Sequence, residues 1–352
     1  MNKPQGIRLI WILIISLAFL IPRPAVAQKS EKPENNDFYD NVPFKDLPIG
    51  QVEISGEIVS PGIADLRKLP LHQVQVREAI KNDEKATFIG AYVYQGYSLF
   101  EILKDCALNK NNKNIFSSPI DLLVIIENKE GERVVFSWGE IFYPNSLHRI
   151  IIARRVAPII PSTTGESWPL PDECKVVAAN DLYGQRNLRN PVKIMVRSCP
   201  LAESVKKDKT LLYSEKIKVL FGGKEITIIE SLPAGHEILE YPVVFFGRGK
   251  GFHGVKSFSG VSLRKILGKY IVLNKGLIEA GYAVIVGADG YRAVFSISEL
   301  FNRNDFNEVL LYDQGNKNGG RFALFVSMDF FSDRAVKAIK EIRLISGDES
   351  SL

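Results

Sequence analysis

Cysteine and histidine are scarce in this chain, and neither sign of charge dominates it. Three cysteines and four histidines occur among 352 residues, without a CxxC, a CxxCH or a His/Cys cluster. Structural zinc sites and c-type haem attachment need such spacings, so the sequence supports neither. Without residues 1 to 27, the 42 basic and 40 acidic residues leave a charge of +2. This small excess predicts no nucleic-acid partner.

Hydrolase and metal-enzyme signatures are also missing. The sequence has no Gly-x-Ser-x-Gly elbow, no HExxH and no calcium loop, and no histidine stands in a recognisable triad context. Each of these patterns places a nucleophile, base or metal ligand at a fixed spacing. We therefore predict no catalytic residue and no metal ligand.

Long apolar runs are missing after Gln28, which predicts no membrane span in the mature chain. The one long run, from Leu9 to Ile21, follows Lys3 and Arg8 and precedes an A-x-A pattern that ends at Ala27. These features predict a signal peptide cleaved after Ala27 and a periplasmic or secreted protein. An uncleaved anchor is the alternative, although the run is shorter than the roughly 20 residues of a spanning helix.

The three cysteines allow two interpretations in an oxidising compartment. Cys174 and Cys199 flank two apolar segments and could form a disulfide that leaves Cys106 over. Three unpaired, partly buried thiols are the alternative.

Two blocks of sequence occur twice in the same order. Residues 96–103 (GYSLFEIL) and 260–267 (GVSLRKIL) share five of eight positions, and residues 133–142 (RVVFSWGEIF) and 292–301 (RAVFSISELF) share six of ten. Both copies end alike, with Asp181 to Arg186 matching Asp329 to Arg334. The first copy carries an insertion that includes a proline-rich stretch, residues 158–171, which we expect to form an exposed loop near any site.

This duplication divides the chain into predicted segments. They are a signal peptide (1–27), a flexible leader (28–48), a first domain (49–200), a linker (201–214), a second domain (215–346) and a tail (347–352).

The order of these blocks resembles the molybdopterin-binding domain of the sulfite oxidase family. The resemblance rests on the glycine-led short helices, on Asp181-Leu-Tyr-Gly-Gln-Arg186 and on the last strand at Ile194. It implies an α+β fold class, with two copies of a domain made of mixed sheets and short helices. It also implies that basic residues near the end of each copy hold a cofactor phosphate, namely Arg186, Arg189, Arg334 and Lys337. The alternative is that Arg186 and Arg334 tie down their acidic turns through Asp181 and Asp329.

A cysteine that binds molybdenum in the family has no counterpart here. The corresponding region of the second copy, residues 246–256, is instead rich in glycine and positive charge, with Arg248, Lys250, His253 and Lys256. Glycines allow close approach of a ligand to the backbone, and the cations suit an anion. A solvated loop that carries its charges for solubility is the alternative.

The preferred hypothesis is an exported, non-catalytic protein that binds a small anionic, pterin-like ligand or a periplasmic protein partner. No cofactor is expected, although molybdopterin is a possibility that the resemblance leaves open. The rivals are a molybdopterin-dependent oxidoreductase with an atypical metal ligand and a purely structural scaffold.

Overall fold

Strands are the main regular element of the chain. The structure is a computed structural model that describes residues 42–82, 85–161, 163–206, 212–249, 251–315 and 320–347. The predicted signal peptide, most of the predicted leader and Lys250 lie outside these ranges.

The first half of the described chain contributes ten strands and two short helices. The strands are β1 (Lys45–Asp46), β2 (Glu53–Gly56), β3 (Gly62–Ile63), β4 (His72–Asn82), β5 (Lys85–Ser98), β6 (Leu122–Asn128), β7 (Arg133–Ser137), β8 (Ile150–Pro158), β9 (Val176–Ala178) and β10 (Pro191–Ser198). The helices are α1 (Leu99–Leu103) and α2 (Trp138–Phe142). Short 3-10 turns occupy Leu66–Lys68, Pro119–Asp121 and Gly184–Arg186.

The second half contributes nine strands and three helices. The strands are β11 (Ile217–Phe221), β12 (Lys224–Ile229), β13 (Leu239–Gly247), β14 (Gly251–Ser262), β15 (Tyr282–Gly287), β16 (Arg292–Ser296), β17 (Val309–Asp313), β18 (Phe322–Val326) and β19 (Ile339–Ile345). The helices are α3 (Leu263–Leu267), α4 (Lys275–Ala280) and α5 (Ile297–Phe301), and a 3-10 turn occupies Ser332–Arg334.

These strands form four sheets, two from each half. The first half builds one sheet in the order β1-β8-β5-β4, with β9 also on β8, and a second in the order β3-β2-β10-β6-β7. The second half builds a third in the order β12-β11-β19-β15-β16 and a fourth in the order β13-β14-β17-β18. The third sheet repeats the strand order of the second, and the fourth repeats most of the first.

The predicted α+β fold class is wrong. The structure is mostly β, with 46% of the described residues in strands and 13% in helices, and its four small sheets are arranged in a ring like the blades of a β-propeller. The duplicated blocks do contain helices, but each lasts only five residues after its serine cap. Capping signals start a helix without setting its length, which explains why they suggested more helix than the chain forms.

The shared glycine of the first block lies where two backbones approach closely. A Cβ atom on Gly96 would lie 2.2 Å from the carbonyl oxygen of Ile152, and one on Gly260 would lie 2.6 Å from that of Leu311. Each glycine sits in the strand just before a serine-capped helix. A side chain at either position would push two paired strands apart.

The core continues between the two halves. The strand β6 has a continuous apolar run, Leu122 to Ile126, that is buried on both faces. One face packs with apolar residues of β15 and β16, so the second and third sheets share a core. All three cysteines are free thiols, and Cys174 and Cys199 lie in different apolar clusters. The disulfide interpretation therefore has no support from the structure.

The halves also meet through reciprocal backbone contacts. At the end of α5, Asn302 accepts a hydrogen bond from the backbone N–H of Leu182 (2.7 Å) and pairs through its side chain with the backbone of Tyr183. At the end of α2, the Tyr143 carbonyl accepts from the backbone N–H of Phe330 (2.7 Å). Each half thus closes the acidic turn of the other.

Candidate functional site

Arg186 and Arg334 lie at the centre of buried ion-pair networks. Arg186 donates to both oxygens of Asp181 (2.7 and 2.8 Å) and to both oxygens of Glu140 (3.0 and 3.1 Å). Arg334 repeats this arrangement with Asp329 (2.6 and 2.8 Å) and with Glu299 (2.5 Å).

These contacts are the ones expected of arginines that tie down acidic turns. Both arginine side chains are almost completely buried, and neither lines any of the three main clefts of the described chain. Burial raises the pKa of Asp181 and of Asp329, and the paired arginine offsets part of that rise. A phosphate could reach either guanidinium only by displacing a carboxylate.

The two networks also touch across the junction of the halves. Arg186 donates to the hydroxyl of Ser296 (3.1 Å), which caps α5, while the hydroxyl of Ser137, which caps α2, donates to Glu299 (2.8 Å). Each helix cap therefore serves the ion-pair network of the opposite half.

A cleft of about 780 Å³ opens on the fourth sheet, beside the turn that Arg334 anchors. We call it the aromatic cleft because seven aromatic side chains line it: Phe245, Phe246, Phe258, Tyr312, Phe325, Phe330 and Phe331. The hairpin of β13 and β14 forms one wall, and β17, β18 and the turn after β18 form the others.

Several of these rings pack against one another, and Phe330 keeps part of its surface exposed. Phe258 stacks on Phe325 at 4.2 Å with an interplanar angle of 5°. Phe330 meets Phe331 edge-on at 4.8 Å, and Phe330 is about half exposed (52%). A partly exposed ring inside a concave site offers a face on which a flat ligand can stack.

The charge of the aromatic cleft is positive. Lys256 and Lys337 line it and are exposed, while its one lining carboxylate, Asp329, is neutralised by Arg334. Arg248 packs against the ring of Phe331 at 5.1 Å.

Two other predicted site residues do not line the aromatic cleft. The ring of His253 lies 5.6 Å from that of Phe245 but does not line the cleft. Arg189 is exposed and lines a cleft in the first half. The structure therefore groups Arg248, Lys256 and Lys337 near one cleft, with His253 next to one of its rings, and separates them from Arg186 and Arg189.

The first half has a smaller cleft of about 550 Å³ against β4 and β5. We call it the ion-pair cleft because its wall holds Glu78 and Lys175, which are joined by hydrogen bonds of 2.7 and 2.8 Å. Asn187 donates a further bond to Glu78 (3.0 Å). The proline-rich insertion covers one side, where Tyr92 donates to the carbonyl of Pro169 (2.8 Å).

A thiolate-bound molybdenum does not fit either cleft. None of the three cysteines lines one of them. Burial raises the pKa of Cys199 to about 12 and raises those of Cys106 and Cys174. Such thiols remain protonated at neutral pH and are poor metal ligands.

Sequence reasoning missed two features. The aromatic wall could have been predicted from the four phenylalanines that fall within β13 and β14. The second is a group formed by His72, Glu101 and His148, whose ligand atoms lie within 4.8 Å of one another. No sequence signal links these residues, because they come from three separate elements.

Comparison with known proteins gives no relative: no protein-family model and no curated protein matches the chain. Within the described ranges, no helix combines the length and apolar character that a bilayer crossing needs.

Proposed function

We propose that this chain is an exported, non-catalytic binding protein whose aromatic cleft holds a small, flat, anionic ligand of the pterin class. The observation that carries the proposal is the combination of seven aromatic side chains with two unpaired lysines in one cleft. Export rests on the sequence of residues 1 to 27 alone.

Size and shape support a small-molecule ligand. A volume of about 780 Å³ lies within the range of roughly 300–1,000 Å³ that is typical of ligand pockets. The exposed faces of Phe246 and Phe330 suit a planar ring system. Offset stacking of two aromatic rings contributes about 0.5–1.5 kcal/mol in addition to the free energy gained by burying their apolar surface.

Charge supports an anion. Lys256 and Lys337 have no ion-pair partner among the described residues, whereas Asp329 is already paired. A phosphate or carboxylate on the ligand would therefore meet positive charge without a competing acid. Among flat anions, a phosphorylated pterin is the one that the resemblance of the sequence to sulfite oxidases implies.

The proposal leaves out catalysis because no thiolate is placed to hold molybdenum. Burial keeps all three thiols protonated, as described above. The aromatic cleft offers stacking and positive charge, which bind a ligand but do not by themselves transform it.

The test is a titration of the purified full-length protein with pterin-6-carboxylate, followed by pterin fluorescence. We expect saturable binding at one site. The double variant Lys256→Glu with Lys337→Glu should weaken it on the order of ten-fold per lysine, since a charge-assisted hydrogen bond contributes about 1.5–3 kcal/mol. The matched control reverses two exposed lysines of the first half, Lys113 and Lys129, and should bind like the wild type.

Three outcomes would contradict the proposal. Absence of pterin binding would favour the scaffold alternative, and equal loss in both double variants would show non-specific attraction. Stoichiometric molybdenum in protein purified from its native host would replace the binding function with an oxidoreductase that uses an atypical metal ligand.

A further inference from the structure

Three potential metal ligands converge in the first half, away from both clefts. His72 begins β4, Glu101 lies in α1, and His148 lies in the loop before β8. Their ligand atoms lie within 4.8 Å of one another. Two imidazoles and one carboxylate form a donor set that binds divalent transition metals.

The two histidine rings are stacked face to face. Their centroids are 3.7 Å apart and the rings are nearly parallel, at 6°. Parallel stacking keeps the two rings together beside Glu101. A tetrahedral ion with bonds of about 2.0–2.1 Å to nitrogen needs ligand atoms about 3.3 Å apart, so the three ligand atoms, which lie within 4.8 Å of one another, have to draw together as the ion binds.

A hydrogen bond to Ser98 orients His148. The Nδ1 atom of His148 lies 3.0 Å from the Ser98 hydroxyl, which also accepts from the backbone N–H of Glu101 (3.1 Å) as the cap of α1. When Nδ1 carries the proton and donates to Ser98, the lone pair of Nε2 is free. This is the arrangement that fixes the tautomer of metal-binding histidines.

The other ring contains an unsatisfied atom. The Nε2 atom of His72 is buried, and it has no hydrogen-bond partner in the described part of the chain. A buried polar atom without a partner is costly, and a metal ion would provide one. Glu101 forms an ion pair with Lys104 through Oε2 (2.6 Å), which leaves its other oxygen for a metal.

We propose that His72, Glu101 and His148 bind one divalent metal ion of the Zn²⁺ type. The three side chains provide two nitrogen ligands and one oxygen ligand, and water completes the coordination. Both histidines are partly exposed, so an ion can enter from solvent.

The second half provides an internal control for this site. Leu239 pairs with Gly260 as His72 pairs with Gly96, so Leu239 stands where the first half has His72. The block alignment places Lys265 at the position of Glu101, and Lys265 is paired with Glu237 at 2.8 Å. The corresponding surface of the second half therefore lacks two of the three ligands.

The first experiment is isothermal titration of the tag-free, EDTA-treated full chain with ZnCl₂. We expect about one ion per chain, with affinity at least ten-fold lower in His72→Ala and in His148→Ala. His236→Ala removes a histidine of the second half and should bind like the wild type. The proposal is wrong if the wild type takes up no zinc, or if all three variants bind it equally.

A pair of serine variants distinguishes the effect of orienting His148 from the effect of capping a helix. Ser98 and Ser262 each cap a five-residue helix in their own half. Loss of an outer partner lowers metal affinity by about 10–100-fold, so Ser98→Ala should weaken zinc binding while Ser262→Ala should not. Equal affinity in the two serine variants would contradict the role of Ser98.

A measurement on the wild-type protein does not depend on the folding of any variant. In ¹⁵N spectra of histidine-labelled protein, zinc should shift the ring signals of His72 and His148 and leave those of His236 and His253 in place. Shifts confined to His236 or His253 would overturn the proposed site.

Discussion

The two clefts occupy matching places in the two halves but have opposite chemistry. His72 pairs with the shared glycine Gly96, and Leu239 pairs with Gly260. Glu78 and Phe245 lie the same number of residues after these partners, so they occupy equivalent positions. Lys175 forms an isolated backbone β-bridge with Arg189, and Ala323 forms one with Lys337. Because Arg189 and Lys337 are equivalent in the duplicated sequence, Lys175 and Ala323 are equivalent too. A buried ion pair in the first half is thus replaced by an aromatic ring and a methyl group in the second.

The insertion accounts for the rest of the difference. Only the first half has the proline-rich segment, and its Trp168 donates to the Ile159 carbonyl (3.1 Å) and packs edge-on against Phe88. The first cleft therefore has the insertion along one side and an acid and a lysine that neutralise each other, whereas the second has two lysines without an acidic partner. The comparison shows that one backbone can carry a cleft whose charges are paired and a cleft whose lysines are not.

The largest expected effect concerns the buried arginine network that both halves contain. Arg186→Met and Arg334→Met should each lower the free energy of unfolding by about 3–5 kcal/mol, because each leaves two buried carboxylates without their partner. Urea unfolding measures the change. A loss below about 1 kcal/mol for one variant would show that the two networks are not equivalent.

The next prediction concerns variants that give the first cleft the residues of the second. Lys175→Met alone should cost about 3 kcal/mol, since Glu78 then stays buried and unpaired. The double variant Glu78→Phe with Lys175→Ala reproduces the residues of the second half and should recover part of that loss. If the double variant is less stable than Lys175→Met, the correspondence between the clefts does not extend to their packing.

A pH effect should distinguish the two arginine networks. Burial raises the pKa of Glu299 to about 7 from its usual 4.5, although Arg334 lowers it. The folded state then holds a proton that the unfolded state has released, so this stabilisation is complete below pH 4.5 and is lost as the pH rises through 7. Each pKa unit corresponds to about 1.4 kcal/mol.

Urea unfolding at several pH values between 4.5 and 8 measures this slope. Glu299→Gln should flatten it, and Glu140→Gln in the other network is the matched control. A slope unchanged by Glu299→Gln would assign the proton to another group.

The smallest expected effect concerns the cover of the first cleft. Trp168→Ala removes one hydrogen bond and one edge contact, so we expect a loss of about 1–2 kcal/mol in thermal or urea unfolding. Pterin binding in the aromatic cleft should be unchanged, because Trp168 belongs to the other half. Altered pterin affinity would show that the two clefts are coupled.

The sequence was informative about local structure and much less so about architecture. Ser98, Ser137, Ser262 and Ser296 each cap a helix in the duplicated blocks, and Gly96 and Gly260 lie at close backbone contacts. Strand pairing over long separations is not encoded in such local signals, which explains why the four-sheet arrangement was missed.

The site residues show the same limit. A motif such as Asp-x-x-x-x-Arg predicts that a guanidinium lies near a carboxylate, but not that Glu140 or Glu299 will saturate it from another element. The convergence of His72, Glu101 and His148 likewise depends on tertiary folding. Export and the segment boundaries remain predictions.

The exchange of contacts at Asn302 and Tyr143 has an evolutionary consequence. In each of these contacts, a residue at the end of a helix in one half meets the equivalent acidic turn of the other half. A two-fold symmetric homodimer makes contacts of this reciprocal kind. An ancestral single-copy protein with this surface would have assembled as a dimer, and gene fusion would then have linked its subunits covalently. Once linked, the subunits were free to diverge, which would allow the clefts of the two copies to acquire different linings.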